Sequence, residues 1–80
     1  MTREEVNKTM DEVFQDVFDD EGIHVTESTT AKDIADWDSM MHVTLCVAIE
    51  RKFGIKFNMD QVNTMKNVGE MMDIVLSQVS

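Results

Sequence analysis

Residues 36–57 read DWDSMMHVTLCVAIERKFGIKF, and the folding of this stretch decides the architecture of the rest. Asp38 is a good helix cap, so a helix is expected from about Ser39 to Phe53, with Gly54 following it. This helix carries two apolar stripes. Leu45, Cys46, Ile49 and Phe53 form one, suited to a core. Met40, Val43 and Val47 form a second on roughly the opposite side. A small bundle buries one side of a helix easily and two sides with difficulty. The second stripe therefore lines an internal cavity, lies exposed as a docking surface, or is covered by the helix that follows.

Toward the N-terminus, residues 23–38 (IHVTESTTAKDIADWD) lack helical periodicity over most of their length and read as a long connection. Ile23, Val25, Ile34 and Trp37 give it apolar anchors, so it is expected to be ordered and packed across the bundle. Before it, Thr2 and Glu5 form a capping-box pattern, and Val6, Met10, Val13, Phe14, Val17 and Phe18 recur on one helix face. Asp19 to Gly22 end that helix, Gly22 being free to turn left-handed.

Toward the C-terminus, Ile55 and Phe57 lead into a short helix capped by Asn58 and Gln61, with Met59, Val62 and Met65 apolar. Asn67 and Glu70 repeat the cap pattern before a last helix bearing Val68, Met71, Met72, Val75 and Val79 on one side. Gly69 in its first turn reads as a mild weakness. Three longer helices and one short one, with no strand pattern, predict an all-α, small four-helix bundle in which residues 1–80 form a single domain.

Composition narrows the function. The chain has 16 Asp and Glu against 7 Lys and Arg, a net charge of −9. Eight of those acids and two of the bases fall in residues 1–22. So acidic a chain is a poor ligand for nucleic acid or anionic membranes, and no membrane insertion is expected. It suits brief encounters with basic partners, although an acidic face also serves solubility alone. One cysteine, Cys46, cannot form an internal disulfide, and no secretion signal is visible, so a cytoplasmic monomer is expected.

Ser39 falls in the first turn of its helix, where backbone N–H groups lack partners and the dipole is positive. That suits an anionic phosphate group. Asp38 can cap the same turn and offer an oxygen to a Mg²⁺ ion brought by a partner enzyme. The plain alternative is that Ser39 is an ordinary helix-start residue.

The run DSMMHVTLCVAIERKFGIKF, residues 38–57, resembles the acyl carrier protein family, whose motif is Asp-Ser-Leu followed by an apolar-patterned helix and a Glu-x-x-Phe-Gly-like end. The order of elements resembles it over essentially the whole chain, and Trp37 resembles specialised free-standing carriers. The resemblance implies 4′-phosphopantetheine covalently attached to Ser39, taken from coenzyme A by a phosphopantetheinyl transferase. Acyl-loading and acyl-processing enzymes would then use the arm's thiol, and the carrier itself would be no enzyme. It implies transferase recognition through Asp38 and docking through Met40, Val43 and Val47, with Glu50 as acidic neighbour. It implies an acyl-chain cavity lined by Ile49, Phe57, Val62, Met65 and Met71, where methionines would repack readily.

Two departures stand out. Met40 replaces the usual leucine at similar volume. The second helix is poor in acids: His42 and Thr44 lie on it, and Arg51 and Lys52 follow Glu50. A carrier dedicated to a particular fatty-acid, polyketide or lipid-modification pathway is therefore expected. Rival readings are an interaction or regulatory subunit of the same fold, or an aminoacyl carrier. A hydrolase-like set of Ser39, His42 and Asp36 or Asp38 lacks an evident oxyanion hole, and His42, Cys46 and His24 lack the repeated pairs of a zinc site, so no metal is expected.

Overall fold

The computed structural model describes residues 1–79 and contains, among them, four helices and no strand. They are α1 (Arg3–Val17), α2 (Ser39–Phe53), α3 (Met59–Thr64) and α4 (Val68–Val79). The capping box at the start of α1 forms in both directions: Thr2 Oγ1 accepts from the Glu5 N–H, and the Glu5 carboxylate accepts from the Thr2 N–H at 2.9 Å. The same reciprocal pair, Asn58 and Gln61, starts α3. These caps satisfy amide groups that a helix end otherwise leaves open.

Val6, Met10, Val13 and Phe14 put the apolar face of α1 into the core, where α1 packs against both α2 and α4. Leu45, Cys46 and Ile49 come from α2, and Val68, Met71, Met72 and Val75 from α4. Each large side chain fully buried there contributes about 1.5–3 kcal/mol of hydrophobic stabilisation. Helix α3 buries none of its residues and lies against this core through the half-buried Val62.

Two glycine expectations need correction. The left-handed residue after α1 is Asp19 (φ 51°), and Gly22 has no positive φ. Aspartate tolerates this region better than most residues. Gly69 is no weakness. Its N–H donates to the Glu27 carbonyl at 2.9 Å, and a Cβ added there would lie 2.9 Å from that same oxygen. Close approach between the α1–α2 connection and α4 requires a glycine here. Gly54 follows α2 as the sequence reading has it, and the structure adds that it adopts φ 68° and closes the helix through an N–H bond to the Glu50 carbonyl.

The connection is ordered and fastened on both sides. Asp11 accepts from the Val25 N–H at 2.6 Å, while Asn7 and Gln15 donate to the Val25 and Ile23 carbonyls. On the α4 side, the Val68 N–H donates to the Thr29 carbonyl at 2.9 Å beside the Gly69 bond. Arg3 pairs with both Glu27 and Asp73, joining α1, the connection and α4. Val25 and Trp37 are buried, and Ile23 and Ile34 pack against the core, so the four apolar anchors act as the sequence suggests. Ser39 thus stands at the end of a connection that has little freedom of its own.

Candidate functional site

Ser39 opens α2 and is exposed. Asp38 precedes it in an extended conformation, and its Oδ1 accepts from the Met41 N–H at 2.9 Å. The first-turn N–H groups of Ser39 and Met40 have no acceptor among the described residues. A hydroxyl, two open amide donors and the positive end of a helix dipole therefore coincide at one exposed point, an arrangement that fits a phosphodiester.

Beside Ser39 runs an open groove of about 510 Å³, lined by Trp37, His42 and Val43 together with Val62, Met65 and Lys66. Two of the residues expected to meet an acyl chain, Val62 and Met65, thus share a groove with Ser39. The other three lie deeper. Ile49 and Met71 are fully buried, and Phe57 is half-buried against the same cluster.

The second stripe of α2 is exposed: Met40 retains 80% of its surface, Val43 56% and Val47 41%. The alternative in which α3 folds over it is not what the chain adopts. Glu50, expected beside this stripe as an acidic neighbour, is half-buried, and its Oε2 accepts from the Phe57 N–H at 2.8 Å. Its carboxylate is engaged in holding the turn after α2.

His42 has a role that sequence reasoning missed. Its Nδ1 accepts from the Trp37 indole N–H at 3.1 Å, which leaves the proton on Nε2, and Nε2–H donates to the Val62 carbonyl at 2.8 Å. The rings of His42 and Trp37 also stack, with centroids 5.9 Å apart. One imidazole therefore ties the residue two before Ser39 to α2 and α3. Trp37 is further packed edge-on against Phe14, with centroids 5.3 Å apart. The available signal was Trp37 itself, because a buried indole N–H needs an acceptor.

This network engages the residue on which two rivals depend. Both ring nitrogens of His42 are bonded to groups other than Ser39, Nδ1 to the Trp37 indole and Nε2 to the Val62 carbonyl. The same engagement leaves it without a lone pair for a metal, although Cys46 Sγ lies 3.8 Å from Nε2. Cys46 is buried, and desolvation, with Glu50 nearby, pushes its thiol up to about 11. A group so held is a core residue and a poor nucleophile. His24 lies on the surface beside Asp11.

Comparison with known proteins agrees with this geometry. Residues 8–75 match the family described as phosphopantetheine attachment site. An acyl carrier protein of Acidothermus cellulolyticus is 29% identical over 75 residues, covering 94% of this chain and 89% of that relative. The solution structure of a holo acyl carrier protein from Geobacter metallireducens superposes with a TM-score of 0.86 at 36% identity, over 92% of this chain and 85% of that one. The all-helical fold, the long family match and the likeness to a holo carrier place the chain in the acyl carrier protein family, whose cofactor is covalently bound phosphopantetheine.

Proposed function

We propose that this chain holds acyl intermediates as thioesters on a phosphopantetheine arm attached at Ser39, in a dedicated fatty-acid, polyketide or lipid-modification pathway. The observation that supports Ser39 most is its exposure in the first turn of α2, next to unpartnered amides and Asp38. Ser39 Oγ forms the phosphodiester to the phosphopantetheine of coenzyme A. The pyrophosphate bond breaks, 3′,5′-ADP leaves, and the transferase takes the hydroxyl proton. Asp38 contributes to recognition by the transferase and to its Mg²⁺ site. When bound, the arm supplies a terminal thiol for thioester chemistry.

Every other contribution of the chain is to bind and orient. The capped turn and the Trp37–His42 bond fix the direction in which Ser39 faces. Met40, Val43 and Val47 offer apolar contact to acyl-loading and acyl-processing enzymes, and Glu50 supports the turn beneath them. Val62 and Met65 receive the first part of a cargo chain, and Phe57, Ile49 and Met71 line its deeper path if the core opens. The carrier provides no catalytic group of its own, and a cytoplasmic setting suits its single buried thiol.

Incubation with coenzyme A, Mg²⁺ and a broad-specificity phosphopantetheinyl transferase, followed by intact-mass measurement, tests this reading. A gain of one phosphopantetheine that Ser39→Ala abolishes supports it. Failure of several transferases to load the folded chain would turn the assignment toward an interaction module.

A further inference from the structure

The exposed apolar surface of α2 does not stop at the serine end. Val43 lines both the groove beside Ser39 and a second groove of about 630 Å³ between α1 and α2. Val13, Val17, Val47 and Ala48 line that second groove, and so does Arg51. Val47 and Arg51 in turn line a third depression near Gly54 and Lys56. Met40, Val43, Val47 and Arg51 follow one another at spacings of three, four and four, which keeps them on a single helix face. The result is one strip along α2, about 16 Å long at 1.5 Å per residue.

The charge along this strip has a direction. At the serine end stand the exposed acids Asp36 and Asp38. At the far end stand Arg51, Lys52 and Lys56, three of the chain's 7 bases within six residues. Among the described residues, Arg51 forms no ion pair within 4 Å, although Asp16 lines the same groove. Lys52 is only 3.9 Å from Glu12, at the edge of pairing. Last-turn bases do complement the helix dipole, but that role is served by charge anywhere on the turn and needs no alignment with Val43 and Val47. Glu50 lines the third depression but is half-buried, with its Oε2 accepting from the Phe57 N–H.

We infer that this strip selects partner enzymes through a dipolar surface, apolar in the middle, basic where it meets Asp36 and Asp38, and acidic where it meets Arg51. The inference rests on the carrier reading for its biological partner, but its physical content is tested on the folded chain alone. A uniformly basic partner would meet Arg51 and Lys52 as like charges, which discriminates against it.

Two stapled amphipathic peptides, each about four turns long, serve as probes. Both present leucines at three- and four-residue spacing. One has Glu in its first turn and Lys in its last, so that, lying antiparallel to α2, it brings Glu to Arg51. The other carries Lys in both turns, so that neither orientation brings Glu to Arg51, and the staple keeps helicity equal. Binding is read by fluorescence anisotropy at low salt. The Glu-first peptide is expected to bind about fivefold tighter, equal to about 1 kcal/mol at 1.4 kcal/mol per tenfold. Arg51→Glu is expected to reverse the order, Arg51→Gln to erase it, and Val47→Asp to weaken both peptides. Melting curves establish that each variant is folded. Equal affinity, preference for the all-Lys peptide, or binding of neither would overturn the inference. So would sedimentation showing a dimer that Arg51→Glu disperses, which would assign the strip to a second copy of the chain. Ser39 loading is measured separately: loading without peptide preference overturns only the docking inference, and preference without loading overturns only the carrier reading.

Discussion

Replacing His42 by alanine removes a side chain that hydrogen-bonds Trp37 and α3 to α2. Trp37 is 7% exposed and its bond to His42 is part-buried at the groove wall, so its N–H would lose its acceptor where water only partly replaces it. An unmade buried donor costs about 1–3 kcal/mol. Loss of the stacked imidazole, 5.9 Å from the indole, adds about 0.5–1 kcal/mol. Alanine is the better helix former and returns about 0.5 kcal/mol. The net expectation is a loss of about 2 kcal/mol, lowering Tm by about 8–16 °C for a domain of this size. Urea melts followed by far-ultraviolet circular dichroism measure it, a helical signal that survives when the sole tryptophan, Trp37, is replaced. Trp37→Phe removes the donor and should cost less in the His42→Ala background than in the wild type, with a coupling of about 1 kcal/mol. A His42→Ala variant within about 0.5 kcal/mol of wild type, the ordinary range for surface substitutions, or strict additivity of the pair, would refute the reasoning.

Gly69→Ala should destabilise the fold by about 1–2 kcal/mol, although alanine is ordinarily the better helix residue, because its Cβ meets the Glu27 carbonyl at 2.9 Å. A thermal melt showing stabilisation would mean that the connection shifts away without cost. The Cys46 thiol, raised from 9.0 to about 11 by burial, is protonated more strongly in the folded state than in the unfolded one. Its stabilising contribution is therefore complete below pH 9 and declines toward about 11 by about 1.4 kcal/mol per unit. Urea titrations across that window should show this component in wild type and not in Cys46→Ala; identical pH profiles would contradict it. A net charge of −9 on 80 residues is self-repelling, so moderate salt should raise Tm. A melt unchanged between low and moderate salt would show that the acids of α1 are too dispersed to matter.

What the sequence made legible was chiefly local. The Thr2–Glu5 and Asn58–Gln61 boxes and the Asp38 cap each involve residues a few positions apart, and each formed. The α4 start followed in part. The Glu70 N–H donates to Asn67 Oδ1, but the Glu70 carboxylate takes the Lys66 N–H in place of the cap amide. What stayed hidden was set by tertiary contact. His42 meets a carbonyl 20 residues away, and the demand for glycine at 69 comes from Glu27 across the molecule. A pattern of side chains carries no record of where a distant carbonyl will lie. The Asp38 cap and the place of Ser39 in the first turn of α2 were legible because a helix start has a fixed chemistry. The engagement of Glu50 with the Phe57 amide was not, since an acid on a helix looks the same whether it faces solvent or its own turn.

The central claim is that the arm sits on Ser39, and peptide mapping of the loaded protein tests it most directly. Cleavage after Lys32 and Arg51 releases residues 33–51, in which Ser39 is the only serine, while Ser28, Ser77 and Ser80 fall in other fragments. Tandem mass spectrometry should find the phosphopantetheine mass on the 33–51 fragment, lost as the characteristic arm fragment and mapped to Ser39. An arm found on a fragment carrying another serine, or on Thr44 within 33–51, would contradict the account.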